Sequence, residues 1–223
     1  MSAANVPQDG SAPIRVGIIV GSTRPGRKSE AVARWVYEIA NRRNDAHFEI
    51  VDLKDYPLPL LDDPGLPSMG MPHPAHAKSW ADTVASFDAY VFVTPEYNHA
   101  PSGVLKNAID YLYPEWNNKA AGFVSYGSAG GVRAVEHLRL IMAELQIATV
   151  RAQVFLPLTT EFENYTVFKP TAAKEQALTT MLDQIVAWGR ALRSVRFPEG
   201  VPSEGTLPVH QGKPLGRVAR AHG

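Results

Sequence analysis

Gly21-Ser22-Thr23-Arg24-Pro25-Gly26-Arg27-Lys28-Ser29 stands between the apolar run Val16, Ile18, Ile19 and Val20 and the helical pattern Ala31, Val32, Trp35, Val36, Ile39 and Ala40. A short, nearly continuous apolar run suits a strand covered on both faces of a parallel sheet, and three-to-four spacing marks a one-sided amphipathic helix. The turn is therefore a strand-to-helix loop, where unpaired amides and the positive end of the helix dipole favour an anion. Ser22 and Ser29 supply hydroxyls there, and Arg24 and Arg27 supply charge-assisted bonds to phosphate oxygens. The spelling is neither GxxxxGK followed by Ser or Thr nor GxGxxG, so placement rather than a motif carries the reading. A solvated basic turn capped by serine is the competing account.

Outward from this loop the same unit recurs. The first strand opens at Ile14, and further strands are expected over 48–53, 89–94, 120–126 and 148–156. Helices are expected over 30–43, 76–86, 103–112, 132–145 and 172–192, the third with Ser102 as N-cap. Five strands alternating with five helices predict an open parallel α/β sheet of order 2-1-3-4-5 with helices on both faces. Ligands of such sheets bind beyond the carboxyl ends of the strands, at the switch point. Between strand two and the next helix, Pro57, Pro59, Pro64, Pro67, Pro72 and Pro74 break any period, so 54–75 is an irregular connection with no chemistry assigned. Residues 1–13 are expected to be a loose leader and 14–193 the folded domain. Residues 194–223 are expected to be a flexible tail or an arm that docks on another subunit.

Composition narrows the function classes. Lys plus Arg and Asp plus Glu both number 22 in 223 residues, so no global field favours nucleic acid or an anionic membrane as partner. The chain has no cysteine, which excludes disulfides, thiolate metal sites and a thiol nucleophile, and with them a cysteine-based phosphatase. No apolar run approaches the ~20 residues of a membrane span and residues 1–13 lack a signal-peptide pattern, so a cytoplasmic location is expected. No metal site is expected.

Two more loops lie on the predicted rim. Pro95-Glu96-Tyr97-Asn98-His99-Ala100-Pro101-Ser102-Gly103 follows the third strand, where a flat ring, an amide and turn N–H groups suit a planar heteroaromatic ligand. A bland polar turn explains Glu96 and His99 equally well, and His99 is read as a local hydrogen-bonding residue. Tyr126-Gly127-Ser128-Ala129-Gly130-Gly131-Val132-Arg133 follows the fourth strand, its glycines permitting close backbone approach.

Together, GSTRPGR, PEYNHAPSGVLKNAIDYL and YGSAGGVRA resemble the NADPH-dependent FMN reductase family, a flavodoxin-like group that includes azo, quinone and chromate reductases. The resemblance runs from about Ile14 to Leu145. Arg27 and Ser29 stand where that family usually has Ser and Asn. It implies that Ser22, Arg24, Arg27 and Ser29 hold the FMN phosphate, and that Pro95, Glu96, Tyr97 and Asn98 border the ribityl chain and isoalloxazine. Gly127, Ser128, Gly130 and Gly131 would close the ring's other edge. Implied too are NADPH or NADH as donor, a small acceptor (flavin, quinone, azo compound or metal ion) and a homodimer or homotetramer. Lys106, Asn107 and the segment around Trp116 become candidates for the subunit contact, or for purely structural positions. Hydride chemistry belongs to the cofactors, so no catalytic side chain is expected. A flavin-binding electron carrier or redox-sensing module, and a protein with another phosphorylated ligand on the same fold, are the alternatives.

Overall fold

A computed structural model describes residues 13–69 and 71–197; the expected leader, except Pro13, and the expected tail beyond Phe197 lie outside the described residues. Six parallel strands form the main sheet: β1 (Ile14–Val20), β2 (Ala46–Asp52), β3 (Ala89–Pro95), β4 (Lys119–Gly127), β5 (Ile147–Thr149) and β6 (Val154–Pro157). Their order is β2-β1-β3-β4-β5, as expected, with β6 also paired to β4. Every residue of β3 and β4 is buried, whereas the edge strand β2 is buried only at intervals. That contrast is the physical meaning of continuous against broken apolar runs.

The helices divide between the faces. α1 (Ser29–Ala40) and α5 (Ala172–Arg196) cover one side through Val32, Val36, Met181 and Ile185, packed on Val16, Ile18, Val91 and Val93. α2 (Ala75–Ala85), α3 (Gly103–Asp110) and α4 (Val132–Glu144) cover the other, over Ile19, Tyr90, Phe92 and Phe123. Successive residues of β3 thus face opposite cores, the period of two that a strand imposes.

Three expectations are corrected. The fifth strand is two short ones, because the backbone between them is satisfied by side chains: Arg139 Nη1 donates to Val150 O at 2.9 Å, and the Ala152 amide donates to Gln184 Oε1 at 3.0 Å. Phe162 and Phe168, in a stretch where no element is expected, close a small antiparallel ribbon of β7 (Phe162–Glu163) and β8 (Val167–Phe168). The last helix runs on to Arg196, beyond the expected end of the folded domain at 193. Arg193 and Arg196 both pair with Asp88, and Arg196 donates to Asn118 O at 2.7 Å, fastening the helix end beneath β3 and β4.

Trp116 and Asn107 both make contacts within the chain. Trp116 is fully buried and donates to Ile109 O at 3.2 Å, while Asn107 accepts from Leu61 N at 2.9 Å and donates to Pro59 O at 2.7 Å. With the Tyr111 hydroxyl, 2.8 Å from Asp62 Oδ1, Asn107 pins the proline-rich connection to α3. Lys106 pairs with Asp110 one turn along its own helix.

Candidate functional site

The phosphate loop begins where β1 ends. Gly21 N donates to Val93 O at 2.8 Å, and a Cβ at that glycine would lie only 2.8 Å from the same oxygen, so a side chain would push the loop off β3. Beyond the turn, α1 starts at Ser29 with Lys28 at its N-cap, and the Lys28 side chain does not cap the helix. The amides of a helix's first turn have no acceptor within the helix.

Ser22 is buried, and its hydroxyl lies 3.1 Å from the Tyr97 hydroxyl, which ties the first loop to the second. Arg27 does not reach freely for a ligand. Its guanidinium forms a fork with both carboxylate oxygens of Asp52, one bond at 2.8 Å, and Nη1 also donates to Ser22 O at 2.6 Å. These bonds raise the Arg27 pKa above its ordinary value, the Asp52 hydrogen bond contributing most. The pairing follows from register: β1 and β2 align Val20 with Asp52, so the carboxylate emerges beside the loop. Arg24 is exposed and lies over the Tyr97 ring at 6.0 Å; neither it nor Lys28 has a carboxylate partner among the described residues.

On the second loop, Tyr97 and Ala100 exchange backbone hydrogen bonds of 3.0 and 3.1 Å around Asn98 and His99, both left-handed at φ 47° and 74°. Positive φ at both central residues is the two-residue hairpin turn, and Asn tolerates it better than most residues. Glu96 points into the protein. Its carboxylate accepts from the Arg133 amide at 3.1 Å, from Arg133 Nε at 2.7 Å and from the Ala134 amide at 3.4 Å. Burial alone would raise its pKa, but these bonds outweigh burial and hold it below the ordinary carboxylate range. Glu96 thus caps α4 and joins the second loop to the third.

The third loop is shaped by its glycines. Gly131 has φ 78°, and a Cβ there would come within 2.7 Å of Ser125 Cβ and 2.8 Å of Tyr126 N. Ser125 Oγ donates to Gly130 O at 2.8 Å, closing the turn from below.

These loops enclose a cavity of about 300 Å³ at the carboxyl ends of β1, β3 and β4. Of the residues expected to hold a ligand, Arg24, Arg27, Pro95, Glu96, Tyr97, Gly127 and Ser128 line it. Ser22 and Ser29 are buried in the adjoining phosphate loop. Asn98, Gly130 and Gly131 are not among the lining residues, and serve the turns instead. Lys28, Tyr126 and Leu158 line the cavity and were missed, as was Asp52 behind Arg27. Their signal was position alone: Tyr126 and Asp52 sit at the carboxyl ends of two strands, where sequence shows only strand.

The Ser29 and Tyr126 hydroxyls are buried. Burial pushes the Tyr126 phenol up to about 12, against smaller opposing pulls from hydrogen bonding to the Ser29 hydroxyl and amide and to the Ser22 hydroxyl. A helix N-terminus with the cations of Arg24 and Lys28 on the cavity wall fits a phosphate monoester.

The sequence model of the NADPH-dependent FMN reductase family matches residues 14–161. An NAD(P)H-dependent FMN reductase of Schizosaccharomyces pombe is 39% identical over 147 residues, covering 64% of this chain and 74% of that protein. A quinone reductase of Escherichia coli K12 is 30% identical over 154 residues, covering 66% of this chain and 78% of its own. FerB, a flavoenzyme NAD(P)H:(acceptor) oxidoreductase of Paracoccus denitrificans, superposes with a TM-score of 0.64 over 80% of this chain and 98% of its own; at 21% identity that likeness concerns the fold.

Proposed function

Since the chain belongs to the NADPH-dependent FMN reductase family, we propose that its three rim loops hold one FMN and present it to NAD(P)H and a small acceptor. The protein is an FMN-dependent NAD(P)H oxidoreductase. The observation that carries the site assignment is the cavity at the carboxyl ends of β1, β3 and β4, walled by the start of α1 with Arg24 and Lys28.

In this reading the amides of α1, the Ser29 hydroxyl and the cations of Arg24 and Lys28 receive the phosphate. Arg27, held by Asp52, braces the loop around it. Tyr97 and the Gly127–Ser128 backbone border the ring system, and Glu96 fixes the distance between those two borders through Arg133. Bound there, FMN supplies the hydride chemistry between donor and acceptor. The chain's own part is to bind, orient and leave a face of the cavity open.

A quinone is the acceptor we favour, in line with the quinone reductase relative. The exposed Leu60, Leu61, Leu66, Met69 and Met71 of the proline-rich connection support a homo-oligomer, because apolar side chains held outward by a pinned backbone suit burial against another copy. No helix among the described residues is long and apolar enough to cross a membrane, and a cytoplasmic location is part of the same proposal. The test is an anaerobic titration of the FMN-loaded protein with NADPH and with NADH. Loss of the flavin absorbance, and its return on adding a quinone, is the expected result; a bound flavin that neither donor bleaches refutes the reductase reading.

A further inference from the structure

Glu96 is the one acidic residue among the described residues that line the cavity; the other charged ones are Arg24, Arg27 and Lys28. Its stem lies against the third loop, where a Cβ at Gly127 would come within 3.3 Å of Glu96 Cβ. Arg133 is not among the lining residues, and its guanidinium reaches the Glu96 carboxylate from the first turn of α4, donating through Nε at 2.7 Å and through Nη2. The Arg133 and Ala134 amides donate to the same carboxylate at 3.1 and 3.4 Å. Two amides already fix where the carboxylate sits. What the guanidinium alone supplies is a positive charge against it.

We propose that Arg133 is a positioning residue for the reduction potential of the bound flavin: by neutralising Glu96 in the cavity wall it keeps FMN easy to reduce. The proposal rests on the FMN reading above and adds to it a residue that lies off the cavity wall. A hydride from NAD(P)H carries two electrons and one proton to the flavin, which gains one negative charge as NAD(P)+ leaves. A bare carboxylate in the wall opposes that added charge, and the guanidinium cancels the opposition. The hydrogen bonds from Arg133 and Ala134 hold the Glu96 carboxyl below its ordinary range, so it is ionised at neutral pH and needs cancelling. The two partners are unequally screened, since the Glu96 side chain is 3% exposed and that of Arg133 44%. A bare Glu96 therefore acts on the cavity more strongly than a bare Arg133.

The experiment measures FMN affinity, and the midpoint potential of bound FMN against a reference dye under anaerobic conditions, in wild type, Arg133→Gln, Arg133→Lys, Glu96→Gln and the double variant Arg133→Gln with Glu96→Gln. It is run near pH 8, where Glu96, still held by two amides, remains a carboxylate. Arg133→Gln is expected to lower the ratio of reduced to oxidised FMN affinity about tenfold, a potential ~30 mV more negative. Glu96→Gln should raise the ratio about threefold, ~15 mV more positive. Arg133→Lys, which keeps the charge and loses the fork, should stay within about twofold of wild type, and so should the double variant. Shifts of one sign in both single Gln variants overturn the proposal, as does a double variant displaced as far as Arg133→Gln alone. So does Arg133→Lys shifting as far as Arg133→Gln, since that outcome makes the pair a brace of the loop. A wild-type protein that binds no FMN refutes the FMN reading and the proposal with it, whereas bound flavin with unmoved potentials refutes the proposal alone.

Discussion

The Arg27–Asp52 pair gives two opposed accounts of one arginine, and Arg27→Gln separates them when combined with Asp52→Asn. If Arg27 braces the loop, its loss strands a carboxylate beside the phosphate site. The Arg27 side chain is 8% exposed and that of Asp52 21%. Breaking a fully buried pair costs about 3–5 kcal/mol, but Asp52 keeps some solvent and the Lys54 amide at 3.0 Å, so about 2 kcal/mol of stability is the expected loss. The bare carboxylate opposes the phosphate dianion as well, and FMN should weaken by about 2 kcal/mol, roughly 30-fold. Asp52→Asn alone leaves the guanidinium on Ser22 O with only the exposed Glu30, 3.8 Å away, against its charge, so FMN affinity should hold or rise by up to about tenfold.

The double variant decides. With both charges gone nothing repels the phosphate, and FMN affinity should return to within about threefold of wild type, although stability does not. Titration by quenching of FMN fluorescence reads affinity, and denaturant midpoints read stability separately. A double variant that binds FMN as weakly as Arg27→Gln alone refutes the brace and makes Arg27 a direct phosphate ligand.

Arg24→Ala, at an exposed cation with no carboxylate partner, should weaken FMN by about 1.5–3 kcal/mol with little change in stability; unchanged affinity would remove Arg24 from the phosphate site. Gly131→Ala meets both a φ of 78° and atoms at 2.7 and 2.8 Å, so a loss of about 2–4 kcal/mol in denaturant unfolding is expected. Lys119, buried beneath the sheet with Nζ donating to Val84 O at 2.8 Å, has its pKa lowered to about 7 by burial first and by Arg196 second. Unfolded it titrates near 10.4, so between these values the unfolded chain binds more protons and stability rises with pH. Lys119→Met should therefore be more stable than wild type at pH 6, with the advantage shrinking towards pH 10. A gap that does not narrow would show that Lys119 carries no such linkage.

How far the sequence could be read follows from which interactions are local. Strand and helix positions came from periodicity, a property of near neighbours, and the sheet order followed from βαβ handedness. Glu96 lines the cavity, but its bonds to Arg133 were not legible, because that partner lies 37 residues away and arrives only through the pairing of β3 with β4. The break between β5 and β6 has the same origin: Arg139, on α4, takes over Val150 O, and no pattern within 148–156 records it. Trp116 sits in an aperiodic stretch, where an aromatic residue reads equally as core or as contact; its indole donating to Ile109 O settles it as core.

At the rim, the conspicuous side chains mostly hold loops, and less conspicuous groups face the cavity. Arg27 is committed to Asp52 and Glu96 to Arg133, while Ser22 and Tyr97 are committed to each other. What is left for a ligand is backbone at α1 and the Gly127 turn, and the cations of Arg24 and Lys28, which have no carboxylate partner among the described residues. Substitutions at the committed residues should then act on affinity through loop geometry and stray charge, and a second substitution at the partner should reverse them in part. Substitutions at the uncommitted groups should lower phosphate affinity directly, and no partner change should rescue them. That asymmetry, read from double-mutant cycles, sorts the rim into braces and ligands more sharply than activity alone, because activity falls in both cases.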